Sequence, residues 1–99
     1  MEIKSTKVFD SWLEKLRDRS GRVHILRRLR RLQNGNPGDT KSIGSGVYEL
    51  RVNVGPGYRV YYTQRGNLLI VLLCGGDKST QEGDISRARI LAAQLAEEE

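Results

Sequence analysis

The sequence holds one cysteine, one histidine and two prolines in 99 residues, and each shortage closes a class of explanation. A single thiol, Cys74, excludes a disulfide framework or a cysteine-built metal site within one chain. It lies in the apolar run at residues 68–74 and reads as a small core residue. His24, flanked by Val23 and Ile25, reads as a helix-surface residue rather than a catalyst. Acidic residues are thinly spread except at Glu97-Glu98-Glu99, read as a frayed end, so no metal centre is expected. The glycines at 55, 57, 75 and 76 match neither standard phosphate-binding loop, and no small-molecule cofactor is expected. No apolar run approaches the ~20 residues of a membrane span, and residues 1–7 lack the apolar stretch of a signal peptide. The expected setting is a reducing cytoplasm, with no membrane partner.

What is present in excess is positive charge. Seventeen Lys and Arg against twelve Asp and Glu leave a formal charge of +5 and a pI near 9.7. That balance favours contact with a polyanion, either nucleic acid or an acidic protein. A chain of 99 residues supports one modest core, so a single domain over residues 1–99 is expected.

Hydrophobic spacing divides the chain into helices first and strands second. After a short candidate edge strand, Val8, Phe9, Trp12, Leu13 and Leu16 recur at helical intervals. Ser20 is a candidate cap for a second helix, with an apolar stripe of Val23, Ile25, Leu26, Leu29 and Leu32 and other faces carrying Arg22, Arg27, Arg28, Arg30 and Arg31. Turn formers at residues 33–39 end the helical part. From Val47 to Val54, Tyr48, Leu50, Val52 and Val54 share one side and Val47, Glu49, Arg51 and Asn53 the other. Gly55-Pro56-Gly57 forces a turn, and alternation resumes with Tyr58, Val60 and Tyr62 opposite Arg59, Tyr61 and Thr63. A second turn at Arg65-Gly66-Asn67 leads into the apolar run 68–74, expected to be an inner strand that Gly75-Gly76 ends. Ser79 and Glu82 suggest a capping box before a last amphipathic helix carrying Ile85, Ala88, Leu91, Ala92 and Leu95. The expected fold class is α+β: two N-terminal helices, an antiparallel meander of three to four strands, and a C-terminal helix.

The hairpin at Gly55-Pro56-Gly57 has a consequence for charge. Its buried sets must pair with each other, so paired positions sum to an even number. Arg51 and Arg59 then share a face, read as the open face of the sheet, and stand directly opposite if the pairing centres on Gly55. Facing like charges are destabilising. Either an anion lies between the two arginines, or Glu49 and solvent neutralise them. Lys78 and Lys41 are placed to join this cluster or to remain ordinary surface lysines. The arginines of the second helix form a solvated face or hold an acidic partner or a phosphate backbone.

Taken together, residues 35–41 (GNPGDTK), 46–51 (GVYELR), 55–62 (GPGYRVYY) and 75–81 (GGDKSTQ), with Asp84-Ile85, resemble a known family. The likeness, which runs from Phe9 to the last helix, is to the phage-derived "addiction module killer protein" branch of the RelE/ParE toxin superfamily, which includes HigB-type toxins. That resemblance implies a compact microbial ribonuclease-like fold. It also implies a type II toxin–antitoxin toxin that cleaves mRNA on the ribosome without a metal, and a cognate helix-turn-helix antitoxin as partner. By position, Arg59 matches the family's catalytic arginine, Arg51 a basic residue on the preceding strand, Lys78 the basic residues beyond the inner strand, and Lys41 a basic position before the hairpin. The tyrosine or histidine that many relatives carry near the final helix is absent after Lys78. RNA cleavage needs a base for the 2′-OH proton and cations for the phosphorane-like transition state. Crowded positive charge lowers the pKa of a neighbouring lysine or tyrosine, so Lys41 or Tyr61 is a candidate base, and Tyr61 alternatively a stacking ring. Candidate RNA contacts are Arg27, Arg28, Arg31 and Tyr48. Two other functions stay open: a ParE-like poison of DNA gyrase, and a basic nucleic-acid-binding module without catalysis.

Overall fold

The computed structural model describes residues 1–98; Glu99, part of the acidic end, lies outside the described residues. The fold is α+β, with β1 (Glu2–Ser5), α1 (Lys7–Lys15), α2 (Arg19–Gln33), β2 (Thr40–Ser42), β3 (Val47–Val52), β4 (Tyr58–Arg65), β5 (Leu69–Asp77) and α3 (Gln81–Glu97). A short 3₁₀ turn, Lys78–Thr80, joins β5 to α3. The strands form one five-stranded sheet in the order β1-β5-β4-β3-β2. The expected meander is its antiparallel part; β1 adds a parallel edge on β5 with Ile3 opposite Ile70.

Local chemistry starts each helix. Thr6 caps α1, accepting from the Phe9 amide at 3.1 Å while donating to the Leu73 carbonyl at 2.5 Å, which ties the helix start to the sheet. Asp18, not Ser20, caps α2: its Oδ1 accepts from the Gly21 amide at 3.0 Å, and its Oδ2 accepts from the Tyr58 hydroxyl at 2.7 Å. With so few residues between α1 and α2, a carboxylate that bonds both helix and sheet takes the cap and leaves the serine as the second residue of the helix. Arg22 closes the other side of this junction, donating to the carbonyls of Leu13, Glu14 and Leu16.

The sheet is covered on both faces. On one, Phe9, Ile25, Leu29 and Leu32 pack on Leu50, Val52, Tyr58, Val60, Tyr62, Ile70 and Leu72. On the other, Ala88 of α3 and its neighbours Ile85, Leu91 and Ala92 meet Val47, Tyr61, Val71, Leu73 and Cys74. Val23 and Leu26, expected in the core stripe, stay 45% and 48% exposed because α2 overhangs the sheet with Ile25, Leu29 and Leu32 inward.

The β3–β4 register has the even parity that alternation requires and is centred on Gly55: Leu50 faces Val60, Val52 faces Tyr58, and Arg51 faces Arg59. A bulge between Tyr61 and Tyr62 places Tyr61 opposite Cys74 and Tyr62 opposite Leu72, so Leu73 is the extra residue. The strand does not end at Gly75-Gly76, as glycine punctuation suggests, but runs through both to Asp77. A Cβ on Gly75 would lie 2.3 Å from the Trp12 ring, and one on Gly76 would lie 1.8 Å from Asp84 Oδ2. These glycines let helices press on opposite faces of the strand.

Candidate functional site

Alternation on β3 and β4 brings Glu49, Arg51, Arg59 and Tyr61 to the face that α3 covers. That face is not open. Arg59 is 8% exposed and Glu49 is fully buried, while Arg51 keeps a partly exposed side chain. The anion between the facing arginines is Glu49. Its Oε1 accepts from Arg51 Nε at 3.1 Å and lies 4.0 Å from Arg59 Nε, an ion pair beyond hydrogen-bond reach. Its Oε2 accepts from the Tyr61 hydroxyl at 3.0 Å and from Gln81 Nε2 at 2.8 Å. One carboxylate oxygen thus serves cations, and the other is anchored by neutral donors from the sheet and from the first residue of α3.

This arrangement sets the ionisation of the cluster. Burial alone would raise the Glu49 carboxyl, but hydrogen bonds from Gln81, Arg51 and Tyr61, with the Arg59 charge, hold it below its ordinary value of 4.5. Burial first, and then the bond to Glu49, drive the Tyr61 hydroxyl far above its ordinary 10.0. The ring is covered and its proton is committed, so Tyr61 lacks the accessible hydroxyl of a base and the free face of a stacking ring. Sequence patterning left both roles open because it placed no helix over this face.

Arg59 is the unfinished part of the cluster. Its Nε and Nη1 are buried and have no hydrogen-bond partner among the described residues. Buried guanidinium donors are costly to leave unfilled, and an anion is the partner a guanidinium pairs with most strongly. The surroundings suit this: a Cβ built on Gly57, where φ is +82°, would lie 4.0 Å from Arg59 Nη1 and 3.6 Å from the Lys78 Cβ. Glycine at the tip of the β3–β4 turn therefore lets backbone lie close both to the Arg59 guanidinium and to the base of the Lys78 side chain. Asp77 holds the turn carrying Lys78, accepting from the Ser79 amide at 2.8 Å, and Thr80 completes a capping box. The capping box expected at Ser79 and Glu82 is thus built at Asp77 and Thr80, because the acid at the strand end reaches the turn first.

Lys41 is exposed on edge strand β2, directly opposite Glu49 in register and therefore on the same face. It lies two strands from Arg59 and two residues along, roughly 12 Å between Cα atoms at ordinary strand spacings. The four candidate RNA contacts are not brought to this cluster. Tyr48 lies on the α1/α2 face and stacks on Tyr62 with ring centroids 5.4 Å apart. Arg27 and Arg31 are exposed on α2. Arg28 is engaged, donating to the carbonyls of Arg51, Pro37 and Asp39, which straps the 34–39 loop to β3.

Sequence reasoning named Glu49 only as a neutraliser and did not single out Gln81. The signal for Glu49 was its position two residues before Arg51 on one strand face. For Gln81 no periodic signal exists, since it meets Glu49 from 32 residues away. Among the described residues no group of three or more His, Cys, Asp or Glu is placed to hold a metal ion, and no helix is long and apolar enough to cross a membrane.

Comparison with known sequences agrees with the span of this site. The profile of the family described as phage derived protein Gp49-like matches residues 11–96, which contain every residue of the cluster. A protein of Haemophilus influenzae (strain ATCC 51907 / DSM 11121 / KW20 / Rd), described only as an uncharacterized protein, is 50% identical over 95 residues, covering 96% of this chain and 96% of that protein.

Proposed function

The chain belongs to the phage-derived Gp49-like family, and from that premise we propose that it is the toxin of a type II toxin–antitoxin pair, of the RelE/ParE superfamily and its HigB-like branch, which arrests translation by metal-independent cleavage of mRNA on the ribosome. The observation that carries this reading is the basic cluster that Glu49 organises, with Arg59 directly across from the part-exposed Arg51 and Lys78 following the same strand end. A phosphodiester is the anion that mRNA would present there. The 2′-OH of the RNA attacks the adjacent phosphorus, the O2′–P bond forms, the P–O5′ bond breaks, the leaving O5′ takes a proton from water, and the charge that gathers on the phosphoryl oxygens is met by Arg59 and Lys78. Glu49 positions the arginines and does not touch substrate. With Tyr61 committed to Glu49, Lys41 is the remaining candidate to take the 2′-OH proton, reaching the site from β2. The antitoxin partner follows from the family, and cleavage on the ribosome and the cytoplasmic setting follow from the toxin reading.

Induction in growing cells, with protein and DNA synthesis followed separately, tests the class. Protein synthesis should stop within minutes while DNA synthesis continues at first. Early DNA damage with translation intact would assign the protein to the gyrase poisons and overturn the reading.

A further inference from the structure

β5 outruns its parallel neighbour. The last β1–β5 pair is Ser5 with Leu72, while β5 continues to Asp77, so beyond Leu72 that edge has no strand beside it. α1 and α3 flank this edge and leave a notch of about 300 Å³, lined by Val8, Ser11, Trp12 and Lys15 of α1, Gly75 of β5 and Arg87 of α3. The four α1 residues recur at helical spacing and form one face of the helix.

Trp12 is the fixed wall of the notch. Its ring rests on the Gly75 backbone, where a Cβ would lie 2.3 Å away, and meets Phe9 and Tyr58 at centroid distances of 5.9 and 6.3 Å. It is nonetheless only half-buried. The charged residues of the lining are both cations, Lys15 and Arg87, one from each flanking helix. Both are exposed, and neither makes a hydrogen bond or ion pair among the described residues. An immobile aromatic wall with two unpaired cations matches a ligand that is a flat ring and an anion at once. A nucleobase stacks on an aromatic side chain, and a phosphate takes Lys and Arg as partners. The cavity lies at the small end of the range for ligand sites, which suits one nucleotide. No glycine-rich loop is needed, because the two cations supply what backbone amides supply there. We propose that this α1–β5–α3 notch binds a purine nucleotide, with its base against Trp12 and its phosphate held by Lys15 and Arg87.

A free nucleotide and one nucleotide of a single-stranded RNA present the same chemistry. Lys15 also lines a cavity of about 650 Å³ at the α1–α2 junction together with Arg17, Arg19 and Arg22, so a strand leaving the notch would meet further cations. The site uses neither Arg59 nor Lys78 and does not depend on the proposed nuclease chemistry.

Trp12 is the chain's one tryptophan, so its fluorescence reports the notch directly. Adenosine 5′-monophosphate added to the intact protein should quench it saturably, and adenosine without the phosphate should bind on the order of tenfold more weakly. Lys15→Ala and Arg87→Ala should each weaken the nucleotide by a similar factor. Both positions are exposed, so thermal midpoints should hold, and Arg59→Ala should bind as wild type does. No saturable quenching, equal binding of adenosine, or undiminished binding by both cation variants would each overturn the proposal. An aspartate-rich peptide that displaces the nucleotide at equal concentration would make the notch an acidic-peptide site and overturn it as well. An oligoadenylate of about six residues, 2′-O-methylated so that it cannot be cleaved, separates the two sources. Tighter binding than the mononucleotide, lost in Arg17→Glu, supports the proposal with a single strand as the ligand; binding no tighter than the mononucleotide supports it with a free nucleotide.

Discussion

Glu49 has both carboxylate oxygens engaged and no exposed surface, so its replacement tests whether the cluster is a unit. Glu49→Gln removes the counter-charge between Arg51 and Arg59 and should cost about 3–5 kcal/mol, the range for breaking a buried pair by deleting one partner. The pH dependence follows from the depressed folded-state value. A carboxyl whose folded pKa lies below its unfolded value stabilises fully above about 4.5, and that stabilisation is lost as the pH falls through the folded value. Thermal midpoints measured from pH 6 downward should therefore fall less steeply in Glu49→Gln than in wild type; parallel curves would contradict the ion-pair role. Gln81→Leu deletes one neutral donor to the same carboxylate. It should cost about 1.5–3 kcal/mol and shift the acid limb upward, because a hydrogen bond that favours the charged form is gone. Arg59 tests the unfilled donors. Inorganic phosphate at tenfold above its dissociation constant should stabilise wild type by about 1.4 kcal/mol, read as a rise in thermal midpoint. Arg59→Ala should abolish that rise, and an equal rise in the variant would place phosphate elsewhere.

At the scale of elements, the sharpest prediction concerns β5. Gly75→Ala puts a methyl group 2.3 Å from the Trp12 ring, and overpacking of this kind costs about 1–3 kcal/mol. Chemical denaturation should show the loss; an unchanged midpoint would mean that Trp12 does not rest on the strand. The same strand shows where sequence patterns stop being informative. Alternation puts Arg51 and Arg59 on one face, because a one-residue slip would turn Leu50 and Val52 out of the core, and the turn centred on Gly55 sets them opposite. Punctuation by glycine misplaces the end of β5, since a glycine that ends a strand and one that admits a helix carry the same letter. Periodicity on α2 likewise includes Val23 and Leu26 in the apolar stripe, although only tertiary packing decides how far the helix overhangs the sheet. The arginine and lysine members of the site were legible as residues, and Glu49 as their neutraliser. The bond that Gln81 makes to Glu49 was not, because it comes through the docking of α3, which no local pattern encodes.

The whole molecule divides its chemistry between the two faces of one sheet. On the α3 face a buried carboxylate holds two arginines in place; on the α1/α2 face α2 presents exposed Arg27 and Arg30 beside Val23 and Leu26. The net charge of +5 draws polyanions to both without specifying either. The most direct measurement is made with purified protein added to ribosomes translating a defined mRNA, with cut sites mapped by primer extension. Wild type should cleave the message in the presence of EDTA, and Arg59→Ala, folded by its thermal midpoint, should be slower by on the order of 10²–10³. Cleavage at wild-type rate by Arg59→Ala, cleavage abolished by EDTA, or an intact message with translation still running would contradict the account.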